Sequence, residues 1–351
     1  MKVVIRKSIL VLKSYVPGEQ LGPEFIKLNT NECPYPPSPS VRDAIANMDV
    51  NKLRLYPDPL CIELRHAIAH LHGCRPEQIF VGNGLDEVLS LSVRIFAEDT
   101  GTVGYLNPSY SLYPVLADIR GLRKKPVELG SSFEWQIPSG YKSDIFFLTN
   151  PNAPTGLYYN KAVVYEFCKR FNGLVIIDEA YVDFAENNCL DFIFKLKNVI
   201  VLRSLSKSYS LAGARVGYAL GPSKLISFFY KIKDSYNVNR FSQIIARCAI
   251  IDQKYMRANV EKVKKTREFL SQSLAKMGWQ VYPSQANFIW ARPHGVKASS
   301  VYEFLREQKI LVRYFPGPRT GDFLRISIGT DKEIAVLLSA LNKYKAKGDK
   351  L

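Results

Sequence analysis

The sequence lacks most of the features that would place a chain outside the ordinary globular proteins. No apolar run approaches the roughly 20 residues that a membrane span needs. Arg6 and Lys7 interrupt the apolar start, Met1 to Leu10, before it reaches the length of a signal-peptide core. Neither export nor membrane insertion is expected, and the reducing cytoplasm is the natural compartment. The six cysteines, Cys33, Cys61, Cys74, Cys168, Cys189 and Cys248, include no Cys-x-x-Cys pair. That argues against a disulfide framework and against a zinc ribbon. There is no internal repeat and no low-complexity tract. Acidic residues are in short supply, 32 against 48 Lys and Arg, which leaves a net charge of +16. Such a surplus admits an anionic partner: nucleic acid, a membrane surface or a phosphorylated small molecule. The aromatic-interleaved basic motifs of nucleic-acid binders are missing, so no nucleic-acid partner is expected. Between Lys224 and Arg267 stand 11 basic and 3 acidic residues, so half of the surplus lies on one stretch that reads as a solvated helix face.

What is present is a balanced composition, 47% hydrophobic and 23% charged over 351 residues. At about 150 residues per domain that allows about two domains with substantial cores. Short apolar runs at Ile79–Val81, Val103–Leu106, Ile145–Leu148, Leu174–Ile177 and Val199–Leu202 alternate with helix-like stretches. This is the pattern of an α/β domain with a mostly parallel sheet between helices. Val163, Val164, Phe167, Cys168 and Phe171 mark one face of a helix, with Gly173 placed to end it. After about residue 220 the pattern changes: Ile244, Cys248, Ile251 and Tyr255 repeat with helical spacing towards Met277. Strand-like runs at Phe288–Trp290, Ile310–Val312 and Phe323–Ile328, with a helix at about 299–308, then read as a smaller α+β domain. The proline-rich stretch 34–39 is expected to be an extended crossing between an N-terminal arm and the first domain.

In an open parallel sheet the ligand lies beyond the carboxyl ends of the strands. There the sequence places Gly82-Asn83-Gly84-Leu85-Asp86-Glu87, Asp178-Glu179-Ala180-Tyr181 and Arg203-Ser204-Leu205-Ser206-Lys207. The glycine turn opens a helix whose free N–H groups suit a phosphate, though a plain strand-to-helix turn would look the same. Asp178, at the end of an apolar strand, needs a cationic or hydrogen-bonding partner; a protonated ring nitrogen, a helix cap or an arginine would each serve. A lysine is by default a solvated surface group. Lys207, however, follows an apolar strand, lies among serines and precedes Arg215, as a desolvated Schiff-base nucleophile beside an anion site would. His66 and His70 have metal-ligand spacing but read better as exposed helix residues, and no metal is expected.

Taken in order, these motifs resemble the fold type I, class II aminotransferases that use pyridoxal 5′-phosphate, and among them the branch acting on histidinol phosphate. The stretches Leu28-Asn29-Thr30-Asn31-Glu32-Cys33-Pro34-Tyr35, Tyr56-Pro57-Asp58, Asn107-Pro108-Ser109-Tyr110, Tyr236-Asn237-Val238-Asn239 and Leu324 to Thr330 carry the likeness alongside the strand-end motifs. The resemblance implies that Lys207 forms the Schiff base and moves the proton, that Asp178 partners the pyridinium nitrogen, and that Tyr181 bonds the 3′-oxygen. It implies further that Tyr110 stacks on the ring. The phosphate would be held by Leu85, Asp86, Ser204, Ser206 and Arg215, and by Tyr56 from the other subunit of a homodimer. Arg325 and Arg313 would take the anionic ends of the substrates, with Tyr15 and Asn31 as contacts from the arm. Where this family commonly has Asn-Pro-Thr-Gly, Ala153 precedes Pro154 here. The resemblance therefore leaves the role of the adjacent Asn152 open, and Tyr181 is expected to carry more of the contact to the 3′-oxygen. The implied reaction converts histidinol phosphate and 2-oxoglutarate to imidazole-acetol phosphate and glutamate; an aromatic aminotransferase or a threonine-phosphate decarboxylase is the alternative. The implied organisation is an arm (1–35) packing with the small domain, a large cofactor-binding domain (36–240) and a small domain (241–351).

Overall fold

The structure, a computed structural model, describes residues 3–348. Helix α1 (Lys7–Leu10) and strand β1 (Ile26–Lys27) lie in the N-terminal arm, followed by α2 (Pro39–Ala46) and α3 (Ile62–His72). The central run is β2 (Ile79–Asn83), α4 (Leu85–Phe96), β3 (Thr102–Asn107), α5 (Leu112–Arg120), β4 (Arg123–Glu128), β5 (Ile145–Thr149), α6 (Lys161–Arg170), β6 (Leu174–Asp178), α7 (Phe192–Lys195), β7 (Val199–Ser204) and β8 (Val216–Leu220). Then come α8 (Ser223–Ile232), α9 (Arg240–Ile251), α10 (Gln253–Lys276), β9 (Gln280–Val281), β10 (Phe288–Arg292), α11 (Ala298–Glu307), β11 (Ile310–Leu311), β12 (Arg313–Tyr314), β13 (Leu324–Ser327) and α12 (Asp331–Gly348).

The seven-stranded sheet has the order β2-β8-β7-β6-β5-β3-β4, and only β8 runs antiparallel to its neighbours. Its strands other than the edge strand β4 are largely apolar on both faces, where helices cover the sheet. Alternate residues of one strand feed separate cores: Val175 and Ile177 pack on one side of the sheet and Ile176 on the other. The five apolar runs expected to be strands all fall in this sheet. A second sheet, β12-β13-β10-β9, gathers the late strands. The arm joins that region directly, since Ile26 and Lys27 pair in parallel with Ile310 and Leu311.

Several local expectations are corrected. Pro39 is not part of the extended crossing but the first residue of α2, a position whose N–H would have no helical partner anyway. Helix α6 ends at Arg170, with Phe171 already extended, so Gly173 does not terminate it. Gly173 instead packs against the chain at Ser143, whose carbonyl lies 2.5 Å from where a Cβ would stand. Val163 faces outward while Val164 and Cys168 are buried. The helical run expected from Ile244 towards Met277 is two helices, broken at Asp252. The buried stripe of α9 is Ile245, Ala246, Ala249 and Ile250; Ile244 and Ile251, expected on it, are exposed. Helix α9 is apolar on both sides, and periodicity alone picked the wrong one.

Candidate active site

Beyond the carboxyl ends of β5, β6 and β7 lies a cavity of about 580 Å³. Among its lining residues are Tyr15, Asn31, Leu85, Asp86, Tyr110, Asp178, Tyr181, Ser204, Ser206, Lys207, Arg215, Arg313 and Arg325. Every expected site residue except Tyr56 is thus brought together.

Asp178 ends β6 and is almost wholly buried. Its Oδ2 accepts from the Tyr113 hydroxyl at 2.8 Å and its Oδ1 from the Ala180 N–H at 3.1 Å. Burial outweighs those bonds and pushes its carboxyl up to about 6. Lys207 Nζ donates to the Thr30 carbonyl at 3.1 Å, so the arm touches the lysine directly. Burial first, and then the nearby Arg325, bring the amine down to about 8, against the opposing pull of Glu32. Behind the two groups a buried ion pair joins their loops. Arg203 on β7 meets Glu179 at 2.8 Å and Asp183 at 3.7 Å, and Ser208 donates to Asp183. Because Glu179 follows Asp178 and Ser208 follows Lys207, this pair fixes the spacing between the carboxylate and the amine.

At the opposite wall, helix α4 begins after Gly84, whose φ of +78° needs a residue without a Cβ. The first-turn N–H groups at Leu85 and Asp86 have no helical carbonyl to meet. Ser204 and Ser206 adjoin this wall, and Arg215 pairs with Asp86 at 3.2 Å. Tyr110 donates to Asp86 at 3.2 Å and meets Tyr15 edge-on at 5.8 Å.

Arg325 projects from β13 into the cavity while Leu324, Ile326 and Ile328 face the core, as the alternation requires. Its Nη2 donates to the Asn29 carbonyl at 2.9 Å, and Phe288 and Phe315 flank its guanidinium. Its Nε is buried without a protein partner, a donor left for an incoming anion. Arg313 donates to the carbonyls of Val16 and Pro17, so it clasps the arm. Asn31, expected as a substrate contact, lines the cavity and is also held by protein. Its amide donates to the Tyr181 hydroxyl at 3.1 Å, its Oδ1 accepts from Ser327 and its carbonyl accepts from Asn287.

Asn152 does not line the cavity; its side chain turns to Pro108 and Thr155, while Ala153 and Pro154 form the wall. Tyr56 is exposed, away from the cavity, and stacks on Tyr236 at 4.3 Å. His66 and His70 are exposed on α3. Tyr113 escaped the sequence reading, and Thr149, at a strand end, was given no role. The one available signal was position: Tyr113 lies three residues after Tyr110, and Thr149 follows the strand Ile145–Leu148.

The donor set fits a phosphorylated heterocycle. A helix start, two serines and an arginine lie at one end, a buried carboxylate and a lysine with a lowered pKa in the middle, and arginines at the other end. Comparison with known proteins agrees. The family model for aminotransferase class I and II matches residues 23–341. Histidinol-phosphate aminotransferase of Geobacter sp. (strain M21) is 42% identical over 344 residues, covering 97% of this chain and 98% of that protein. The protein of the same name from Synechocystis sp. is 43% identical over 345 residues, covering 98% and 99%. The crystal structure of histidinol-phosphate aminotransferase from Sinorhizobium meliloti in complex with pyridoxal-5′-phosphate superposes with a TM-score of 0.86 at 26% identity, covering 97% of this chain and 96% of that one. The chain belongs to the class I and II aminotransferases, in the histidinol-phosphate aminotransferase branch.

Proposed function

We propose that this protein transfers an amino group between L-histidinol phosphate and 2-oxoglutarate, giving imidazole-acetol phosphate and L-glutamate in histidine biosynthesis, with pyridoxal 5′-phosphate as cofactor. The observation that carries this reading is the meeting of Lys207, Asp178 and Arg325 on one cavity, in a chain 42% identical to a histidinol-phosphate aminotransferase along nearly its whole length.

When bound, the cofactor supplies an electron sink for the carbon that bears the amino group. The residues do the rest. Asp178 holds a proton on the ring nitrogen, and the Tyr181 hydroxyl, oriented by Asn31, meets the 3′-oxygen. Tyr110 covers the ring face. Leu85, Asp86, Ser204, Ser206 and Arg215 hold the cofactor phosphate, with Asp86 yielding its share of Arg215. Lys207 Nζ is the amine that would hold the cofactor covalently and, when free, would move the proton at the substrate carbon. Arg325, with Arg313 beside it, takes the substrate phosphate in one half-reaction and the carboxylates of glutamate in the other. Tyr15 closes the rim.

Residues 1–35 form the arm, 36–240 the large cofactor-binding domain and 241–351 the small domain; residues 1–2 and 349–351 of these spans lie outside the described residues. The β1–β11 pairing supports docking of the arm on the small domain. No helix among the described residues is long and apolar enough to cross a membrane, which accords with a cytoplasmic enzyme. Exposed Leu53, Leu55, Tyr56, Leu60 and Tyr236 make an apolar surface suited to a second copy, so that Tyr56 would complete the partner's phosphate site in a homodimer.

Borohydride reduction of the holoenzyme followed by peptide mapping tests the chemistry: the label belongs on Lys207. Turnover with histidinol phosphate, phenylalanine and threonine phosphate tests the substrate. A negligible rate with the first, or carbon dioxide release from the third, overturns the assignment.

A further inference from the structure

The buried groups around Asp178 form a hydrogen-bonded chain that the reading above does not use. Tyr113, in the first turn of α5, is wholly buried; its ring stacks on Phe147 of β5 at 4.7 Å and meets Tyr110 edge-on at 5.6 Å. Its hydroxyl lies 2.8 Å from Asp178 Oδ2 and 2.6 Å from Thr149 Oγ1, and Thr149 in turn lies 3.3 Å from Ser109 Oγ. A phenol has one proton and an ionised carboxylate only accepts. The Tyr113 proton therefore goes to Asp178. The phenolic oxygen then receives the Thr149 proton, and Thr149 receives that of Ser109. The direction Ser109 to Thr149 to Tyr113 to Asp178 follows from the charge at its end.

We propose that Tyr113 is a positioning residue of the transamination: through its bond to Oδ2 it fixes the rotation of the Asp178 carboxylate and favours its ionised form. An ionised carboxylate accepts about four hydrogen bonds. The phenol and the Ala180 N–H take two, and the remaining capacity faces the cavity that Asp178 lines. The same ring abuts Tyr110, so one buried side chain supports both the group beneath the cofactor's nitrogen and the ring against its face. Without Tyr113 only the Ala180 N–H would hold the carboxylate, because no cation among the described residues is hydrogen-bonded to it. The charged and titratable groups acting on it are Tyr113 from α5, Asp86 from α4 and Lys207 from the loop after β7. Of these, burial and Asp86 favour the protonated carboxyl, while the Tyr113 hydrogen bond and Lys207 favour the carboxylate.

The proposal rests on the reading that Asp178 partners the cofactor's ring nitrogen, and the test separates the two. Holoenzymes carrying Tyr113→Phe, Asp178→Asn, both changes, or Thr149→Val are compared by kinetics and by the visible spectrum as a function of pH. Tyr113→Phe keeps the ring and its stacking. It is expected to lower kcat about tenfold with KM little changed, and to move the acid limb of the pH profile up by about one unit. In the Asp178→Asn background the same change should add nothing, because Tyr113 acts through Asp178. Thr149→Val removes the donor to the phenol and should shift the limb the same way by less. Multiplicative losses in the double variant, or a Tyr113→Phe enzyme with an unmoved pH profile and spectrum, overturn the proposal. Near-normal turnover by Asp178→Asn overturns the reading of Asp178 itself.

Discussion

The floor of the cavity and its rim are built by different means. On the floor, Asp178, Tyr113 and Thr149 are buried and bonded to one another, and the Arg203–Glu179 pair braces the loops from behind. All of them belong to the seven-stranded sheet or to the loops and helix that continue its strands. On the rim, Tyr15 and Arg313 are partly exposed, and the outer part of the arm, around residues 16–19, is held by a guanidinium on two carbonyls and by the Glu19–Arg306 pair. Exposed charge contacts of that kind contribute little each, about 0–1 kcal/mol, whereas breaking a buried pair costs about 3–5 kcal/mol. The floor is therefore held by the costlier contacts to break, and the outer rim by the cheaper ones. Arg325 stands between the two, anchored on β13 yet with a guanidinium nitrogen uncommitted.

That contrast can be broken in graded steps. Lys207→Ala should cost at least about 10³-fold in kcat, since no other amine lines the cavity among the described residues; residual turnover within tenfold of wild type would place the chemistry elsewhere. In the unaltered apoprotein, capture of the cofactor should quicken as pH rises towards about 8 and level off above it, because only the neutral amine attacks. Stopped-flow absorbance reads this. Arg325→Gln, which keeps a hydrogen-bonding end and loses the charge, should lower kcat/KM for both substrates by about 10²-fold, mainly through KM; an effect on one substrate only would give the other anion to Arg313.

A smaller effect concerns stability. The folded-state pKa of Asp178 is raised from 3.8 to about 6, so its ionised form costs the apoprotein stability at neutral pH. The cost is full above about pH 6 and vanishes below about pH 4, where folded and unfolded chains are both protonated. Asp178→Asn should accordingly stabilise the apoprotein at pH 7 by on the order of 1–2 kcal/mol and not at pH 3.5, as calorimetry would report. The least change is expected from Arg313→Ala: an unaltered melting temperature within about a degree, a severalfold rise in KM, and faster proteolytic clipping in the segment 11–24.

The sequence disclosed the floor more fully than the rim. Parallel strands buried on both faces leave continuous apolar runs, so Ile145–Leu148, Leu174–Ile177 and Val199–Leu202 could be read directly, and with them the residues that follow. Strand β4 left no such trace, because an edge strand can carry Arg123, Lys124, Lys125 and Pro126. Strand β8 was hidden by Gly217, which lies close against Leu85. Local sequence could not show that Asn31, on the cavity wall, is also held by Ser327 and Asn287, about 300 and 250 residues away. Tyr113 was missed because an isolated tyrosine in an apolar helix reads as core, and it is core as well as a hydrogen-bond donor.

The antiparallel strand β8 has a consequence for the order in which the protein becomes competent. Half of the candidate anion site, Leu85 and Asp86, follows β2; the other half, Arg215, immediately precedes β8, and Asn83 stands opposite Val216. The two halves are separated by some 130 residues of chain and share no sheet edge until β8 has slotted between β2 and β7. On the ribosome the nascent chain would expose every strand of the parallel series before it could hold a phosphate. The helix-start wall of the cavity is thus completed only by the last strand of the large sheet in chain order.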